Sequence, residues 1–77
     1  METVVKAFIR ADEEGTYVAE CYNLPVATQG PSLDEAARNL QEAVALVLAD
    51  SDFTTLGFGS ETPPLMITLE LPIVHAA

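Results

Sequence analysis

Apolar and polar residues alternate at the start of the chain. Residues 3–11 read TVVKAFIRA, and the small apolar side chains on one face are those of Val5, Ala7, Ile9 and Ala11. A period of two is typical of a β-strand with one covered face. The pattern therefore predicts a first strand whose Val5 face lies against another layer of the protein.

A hairpin is expected to join this strand to the next. The polar run 12–15, DEEG, ends in glycine and is followed at once by residues 16–22, TYVAECY, which favour a strand. We expect the less bulky face of this second strand, formed by Tyr17, Ala19 and Cys21, to be the covered one. A shift of one residue in the pairing would exchange the two faces.

Proline and glycine divide the middle of the chain. Residues 23–25, Asn-Leu-Pro, interrupt the second strand, and a short third strand is predicted over residues 26–29, ending at Gly-Pro, residues 30–31. Ser32 and Glu35 then have the spacing of a capping box, in which each side chain satisfies a free N–H at the start of a helix. A helix is therefore predicted to begin here.

Apolar residues recur every three or four positions after this cap, which is the pattern of an amphipathic helix. They are Leu33, Ala36, Ala37, Leu40, Ala43, Val44, Val47 and Leu48. We expect the helix to end near Ala49 or Asp50, where a polar, glycine-containing stretch begins. After Pro63 and Pro64, the alternation in residues 65–74, LMITLELPIV, predicts a fourth strand.

The predicted order β-β-β-α-β indicates a single α+β domain over residues 1–77. Three strands in a meander, followed by a helix that crosses one face, return the last strand parallel to the first through a right-handed crossover. The prediction is a mixed four-stranded sheet in spatial order 3-2-1-4, with one helix packed on one face. The fourth strand would lie at an edge.

The charge of the chain limits its partners. Twelve acidic residues against Lys6, Arg10 and Arg38 give a formal net charge of -9. Direct nucleic-acid binding is not expected, because that affinity rests on Lys and Arg. An acidic surface can steer a basic protein partner, or serve solubility alone. With neither a run of roughly 20 apolar residues nor a signal-peptide pattern, we expect a cytoplasmic protein that does not enter a membrane.

Catalytic candidates are few in this sequence. His75 is the only histidine and is the third residue from the end, and Cys21 has no basic neighbour in sequence that would lower its pKa. The carboxylates of residues 12–14 lack the alternating ligands of a calcium loop and are typical of a solvated turn. We therefore expect no catalytic residue, no cofactor and no metal site, and hence no enzyme.

Residues 12–48 resemble the HicB-like family of small antitoxin domains. The family combines an acidic-glycine turn, a strand with tyrosine, a Leu-Pro segment, a Thr-x-Gly corner and a helix that opens with Leu, Glu and Ala. The matching positions are Gly15, Tyr17, Leu24, Pro25, Thr28, Gly30, Leu33, Glu35 and Ala36. The resemblance implies a partial ribonuclease-H-like or double-stranded-RNA-binding-like sandwich that binds and neutralises HicA, a small basic RNA-cleaving toxin.

Two features depart from the family pattern. After Leu24 and Pro25 the family usually has Gly-Cys, whereas this chain continues with Val26 and Ala27. Many HicB antitoxins also carry a C-terminal DNA-binding segment, and the 77 residues have no counterpart to it. The resemblance is thus to the core domain, and autoregulation by DNA binding is not expected.

The leading hypothesis is a non-enzymatic interaction module, an antitoxin that binds a basic HicA-like toxin through its acidic surface or its edge strand. Glu13, Glu14 and Glu20 are expected to guide the encounter. One alternative is a stand-alone oligomeric domain without a toxin partner. A second is a small hydrolase or nuclease, which would require carboxylates that converge on one face. Because the fourth strand is apolar and carries few charges, we also expect homodimers or tetramers.

Overall fold

Four strands and one helix make up the regular structure of the residues that a computed structural model describes, which are 3–50, 56–58 and 62–73. In chain order they are β1 (Val5–Ala11), β2 (Tyr17–Cys21), β3 (Ala27–Gly30), α1 (Leu33–Asp50) and β4 (Leu65–Glu70). The sheet order is β3-β2-β1-β4. Strand β1 pairs antiparallel with β2 and parallel with β4, and β2 pairs antiparallel with β3. The α+β class, the element order and the predicted strand order are confirmed.

Two predicted strand boundaries were wrong. Strand β3 begins and ends one residue later than expected, because its pairing with β2 runs from Ala27, opposite Glu20, to Gly30, opposite Tyr17. Strand β4 ends at Glu70 rather than reaching residue 74. Its partner β1 ends one residue after Arg10, which pairs with Glu70, so the ladder has no further strand to follow. Residue 74 lies outside the described residues.

The core lies between α1 and one face of the sheet. Its buried members are Val5, Ala7, Ile9, Ala19, Leu24, Val26, Ala36, Leu40, Val44, Leu48 and Phe58. Tyr17 and Cys21 pack partly buried against this cluster. Both predicted faces, that of Val5 on β1 and that of Ala19 on β2, are therefore confirmed as the covered ones.

The corner between β3 and α1 brings two backbones very close together. Gly30 is buried, and a Cβ at this position would lie 2.6 Å from the backbone nitrogen of Ala36. The Ser32 Oγ accepts a hydrogen bond from the Glu35 N–H at 3.2 Å, which is one half of the predicted capping box. Within residues 3–50 the reciprocal bond to the Glu35 carboxylate is not formed. The corner thus sets how closely the helix lies on the sheet.

The helix lies closest to β3 and β2, although Val5, Ala7 and Ile9 on the covered face of β1 are also buried. Consequently the side of β4 that faces the helix is incompletely buried: Leu65 and Ile67 are half-buried, and Leu69 is 49% exposed. The opposite face of the sheet has no helix over it among the described residues. These two uncovered regions are the surfaces on which function has to be sought.

Candidate interaction surface

The uncovered face of the sheet is formed by alternate residues of three strands. The pairing places Phe8 between Glu20 of β2 and Thr68 of β4, and the rows on either side follow the same alternation. The face comprises Lys6, Phe8, Arg10, Val18, Glu20, Tyr22, Met66, Thr68 and Glu70. We refer to these residues as the open face. Apolar, aromatic and charged side chains are interspersed on it.

An aromatic pair and a cation lie near the centre of the open face. The rings of Phe8 and Tyr22 are 5.2 Å apart between centroids and tilted by 47°. The Arg10 guanidinium carbon lies 5.7 Å from the centroid of Phe8, within the range of a cation–π contact. Tyr22 is 68% exposed although its ring packs on Phe8. An aromatic ring that is held in place and accessible is suited to anchor a partner.

Two of the three cations of the chain, Lys6 and Arg10, lie on the open face, with the carboxylates Glu20 and Glu70 on the neighbouring strands. The open face is therefore close to balanced in charge. Much of the acidic excess lies elsewhere, in the turn between β1 and β2 and along the helix, where the carboxylates are Asp34, Glu35, Glu42 and Asp50.

The three glutamates predicted to bind a partner occupy two places. Glu13 and Glu14 are exposed in the β1–β2 turn, whereas Glu20 lies on β2 opposite Phe8 and is partly buried. Glu13 lines a shallow cavity of about 670 Å³ together with Arg10 and Glu70, at the end of the open face. Glu14 and Glu20 do not line it. Their predicted role in binding stays a prediction.

Asp12 builds the turn that presents these glutamates. Its carboxylate Oδ1 accepts hydrogen bonds from the backbone N–H groups of Glu14 at 2.8 Å and Thr16 at 2.9 Å. Gly15 has a φ of 87°, a conformation that favours glycine. The Asp12 side chain is thus already engaged by the backbone, while Glu13 and Glu14 point their charges to solvent.

Asn23 holds the end of the hairpin together, a role that periodicity did not reveal. Its Oδ1 accepts a hydrogen bond from the Lys6 N–H, and its Nδ2 donates one to the carbonyl of Val4, each at 2.9 Å. The Tyr22 N–H donates to the Lys6 carbonyl at 2.7 Å. The side chain of Asn23 thereby extends the pairing beyond β2, which fixes the backbone that carries Tyr22.

The other candidates from the sequence are placed as follows. Burial raises the pKa of the Cys21 thiol, whose side chain packs partly against the core. His75 lies outside the described residues. Among residues 3–50, 56–58 and 62–73, no three carboxylate, thiol or imidazole groups are close enough to share a metal ion. In that same part of the chain, the helix is not apolar enough to cross a membrane.

Comparison with known proteins identifies the family. No family model and no solved structure matches the chain. A UPF0150 protein of Helicobacter pylori is 31% identical over 68 residues, which cover 88% of this chain and 94% of that protein. The chain belongs to the UPF0150 family. UPF0150 is a HicB-like family, so at this level the resemblance of residues 12–48 is supported.

Proposed function

We propose that this UPF0150 protein is a non-enzymatic interaction module, an antitoxin that binds and neutralises a small basic HicA-like toxin. The observation that carries the proposal is the open face, where an exposed tyrosine, Tyr22, packs on Phe8 in a chain of net charge -9. The HicB-like character of UPF0150 supports the class of partner.

The open face offers the partner an anchor with a charged rim. Binding energy in protein interfaces is concentrated in a few aromatic or Arg residues surrounded by contacts that exclude water. Tyr22 is suited to that role because its ring packs on Phe8 and its backbone is fixed by the two hydrogen bonds of the Asn23 side chain, which we call the Asn23 clamp. Little ordering of the tyrosine is therefore needed on binding. Glu13, at the end of this face, and Glu20, beside Phe8, can meet cations of the partner.

Electrostatic steering accounts for the remaining acidic charge. Exposed charges on opposite partners accelerate encounter, and salt shortens their reach to about 8 Å at physiological ionic strength. We therefore expect the on-rate to fall with salt, while the off-rate, which depends on the contacts around Tyr22, changes less.

The test begins with the product of any adjacent reading frame that encodes a small basic protein. We expect co-expression to give a complex and to suppress the toxicity of that product. Replacing Glu13, Glu14 and Glu20 by Gln is expected to lower the on-rate several-fold without unfolding the domain, as measured by association kinetics at two salt concentrations.

A matched control carries the same change in net charge on the helix side, with Asp34→Asn, Glu42→Gln and Asp50→Asn. It is expected to reduce the on-rate less. Equal effects of the two triple variants would show that net charge alone steers the partner. Failure of every basic neighbour to bind would favour the alternative, a stand-alone oligomeric domain without a toxin, to which the apolar β4 strand also lends support.

A further inference from the structure

The outer edge of β4 offers free backbone groups for pairing. Strand β4 lies at the end of the sheet and pairs only with β1 among the described strands. The Val5 N–H donates to the Pro64 carbonyl at 2.9 Å, and Val5 is in register with Leu65. In a parallel ladder with this register, the N–H and C=O groups of residues 66 and 68 point toward β1. Those of the odd-numbered residues 65, 67, 69 and 71 point away from the sheet.

Prolines define how far this edge can pair. Pro63 has no N–H to offer at an outward position, whereas Pro72 lacks an N–H that would point inward. Residues 65–71 therefore form an uninterrupted window of outward donors and acceptors, and its midpoint is Thr68. Proteins commonly protect such edges with Lys, Pro or a bulge. Here Glu70 is the only charged residue from 62 to 73.

Apolar side chains continue along the edge and beyond it. Leu69 and Leu71 are each 49% exposed, and Ile73 is 93% exposed. On the helix side, an apolar groove of about 360 Å³ lies between α1 and the start of β4, with Leu48, Pro63 and Leu65 in its wall. Leu71 and Ile73 therefore form an apolar projection at one end of β4, and the apolar groove lies at the other end.

We propose that two copies of the chain pair through β4, antiparallel, about a twofold axis at Thr68. This register places Leu65 opposite Leu71 of the second copy and Ile67 opposite its Leu69. The twofold axis repeats both pairs, and each of the four resulting pairs joins outward-pointing backbone groups. The ladder therefore contains about eight hydrogen bonds, two for each pair. The two sheets become one sheet of eight strands.

The same register seats the projection of one copy in the groove of the other. Leu71 of the second copy lies beside Leu65, and its Ile73 lies beside Pro63, at the wall of the groove. Seven residues a side are well below the 20–30 residues a side of a standard interface. The groove contacts are therefore needed, and they account for two apolar side chains that a monomer leaves in water.

Charge is also complementary in this arrangement. On the open face, Met66 faces Glu70 of the second copy and has Lys6 as its neighbour on β1. Each Glu70 is thus flanked by Arg10 of its own copy and approached by Lys6 of the other. A net charge of -9 on each copy opposes association, yet the contact itself buries one carboxylate a side with two cations near it. This pairing does not depend on the toxin proposal, because it uses the edge of the sheet.

Cysteine cross-linking tests the register. Thr68 would face Thr68 of the second copy in a non-hydrogen-bonded pair. Their Cα atoms would be about 4.5 Å apart, a distance that a disulfide spans. In a Cys21→Ala background we expect Thr68→Cys to form a covalent dimer on mild oxidation. Met66→Cys is the matched control: it lies on the same strand and face, but its equivalents would be about 14 Å apart. Equal cross-linking of both variants, or of Met66→Cys alone, would overturn the register.

Sedimentation tests the interface itself. The unmodified chain is expected to have the mass of a dimer at tens of micromolar. Leu69→Lys should raise the dimer dissociation constant by about tenfold or more, because each dimer would bury two unpaired ammonium groups. Leu46→Lys, on an exposed helix position, should leave it unchanged. A monomer in the unmodified chain, or an undiminished dimer in Leu69→Lys, would overturn the proposal.

Discussion

Two glycines in this UPF0150 protein are needed for reasons that composition does not show. Gly30 and Gly15 are both turn glycines in the sequence, yet they are needed for different reasons. At Gly30 the helix leaves no room for a side chain, whereas at Gly15 there is open space but a φ of 87°. The first requirement follows from packing between β3 and α1, and no local pattern predicts it.

Substitution by Ala and by Asn separates these two requirements. Gly30→Ala is expected to lower the free energy of unfolding by about 1–3 kcal/mol, because the Ala36 backbone would have to move away. Gly15→Ala should cost about 1–2 kcal/mol through its backbone conformation. Asn tolerates positive φ, so Gly15→Asn should restore most of that loss while Gly30→Asn should not. Urea unfolding of the four variants provides the comparison, and a Gly30→Asn protein as stable as the parent would contradict the packing argument.

Cys21 gives the stability a dependence on pH. Because burial raises its pKa, the folded protein holds the thiol proton more tightly than the unfolded chain does. Its contribution to stability is therefore complete below the ordinary thiol pKa, declines as the pH rises above that value, and is lost beyond the raised pKa. The difference in unfolding free energy between the parent and Cys21→Ala should fall as the pH is raised from 7 to beyond about 9. A difference that grows over this range would contradict the assignment.

At the scale of elements, periodicity predicted the type and the covered face of each element better than its boundaries. Alternation identified the covered faces of β1 and β2, and the three- and four-residue spacing identified α1 with its capping serine. The ends of β3 and β4 were misplaced because they depend on where the neighbouring strand runs out. The Asn23 clamp was missed for a related reason, since its two hydrogen bonds join residues that are separated by 17 and 19 positions in the sequence.

The two side-chain hydrogen bonds of Asn23 can be removed by a substitution outside the buried core. Asn23→Ala is expected to lower the free energy of unfolding by about 1–3 kcal/mol, because two hydrogen bonds are lost and the Lys6 N–H and Val4 carbonyl lose their partner. Asn39→Ala is the control, because within the described part of the chain the Asn39 side chain makes a single hydrogen bond, to the Gln29 carbonyl at 2.8 Å. Thermal unfolding should show roughly half the loss for Asn39→Ala. Equal losses would show that Asn23 acts through something other than its two bonds.

At the scale of the whole molecule, the sequence predicted the fold class better than the surface. The acidic excess suggested an acidic surface on which Glu13, Glu14 and Glu20 guide a basic partner. The structure instead places Lys6 and Arg10 on the open face, separates Glu20 from the turn, and joins Phe8 to Tyr22. That aromatic pair depends on the β1–β2 register, so the sequence contained its residues without showing that they meet.

The central claim, that the open face binds a small basic protein, is tested most directly by the dissociation rate of Tyr22→Ala from the complex with a basic toxin-like neighbour. Loss of an anchor residue should raise the off-rate about 30-fold or more, corresponding to at least 2 kcal/mol. Leu46→Ala removes a side chain of almost equal exposure from the helix and should leave the off-rate unchanged. An off-rate for Tyr22→Ala equal to that of the unmodified protein, with the complex still formed, would contradict the assignment of this face.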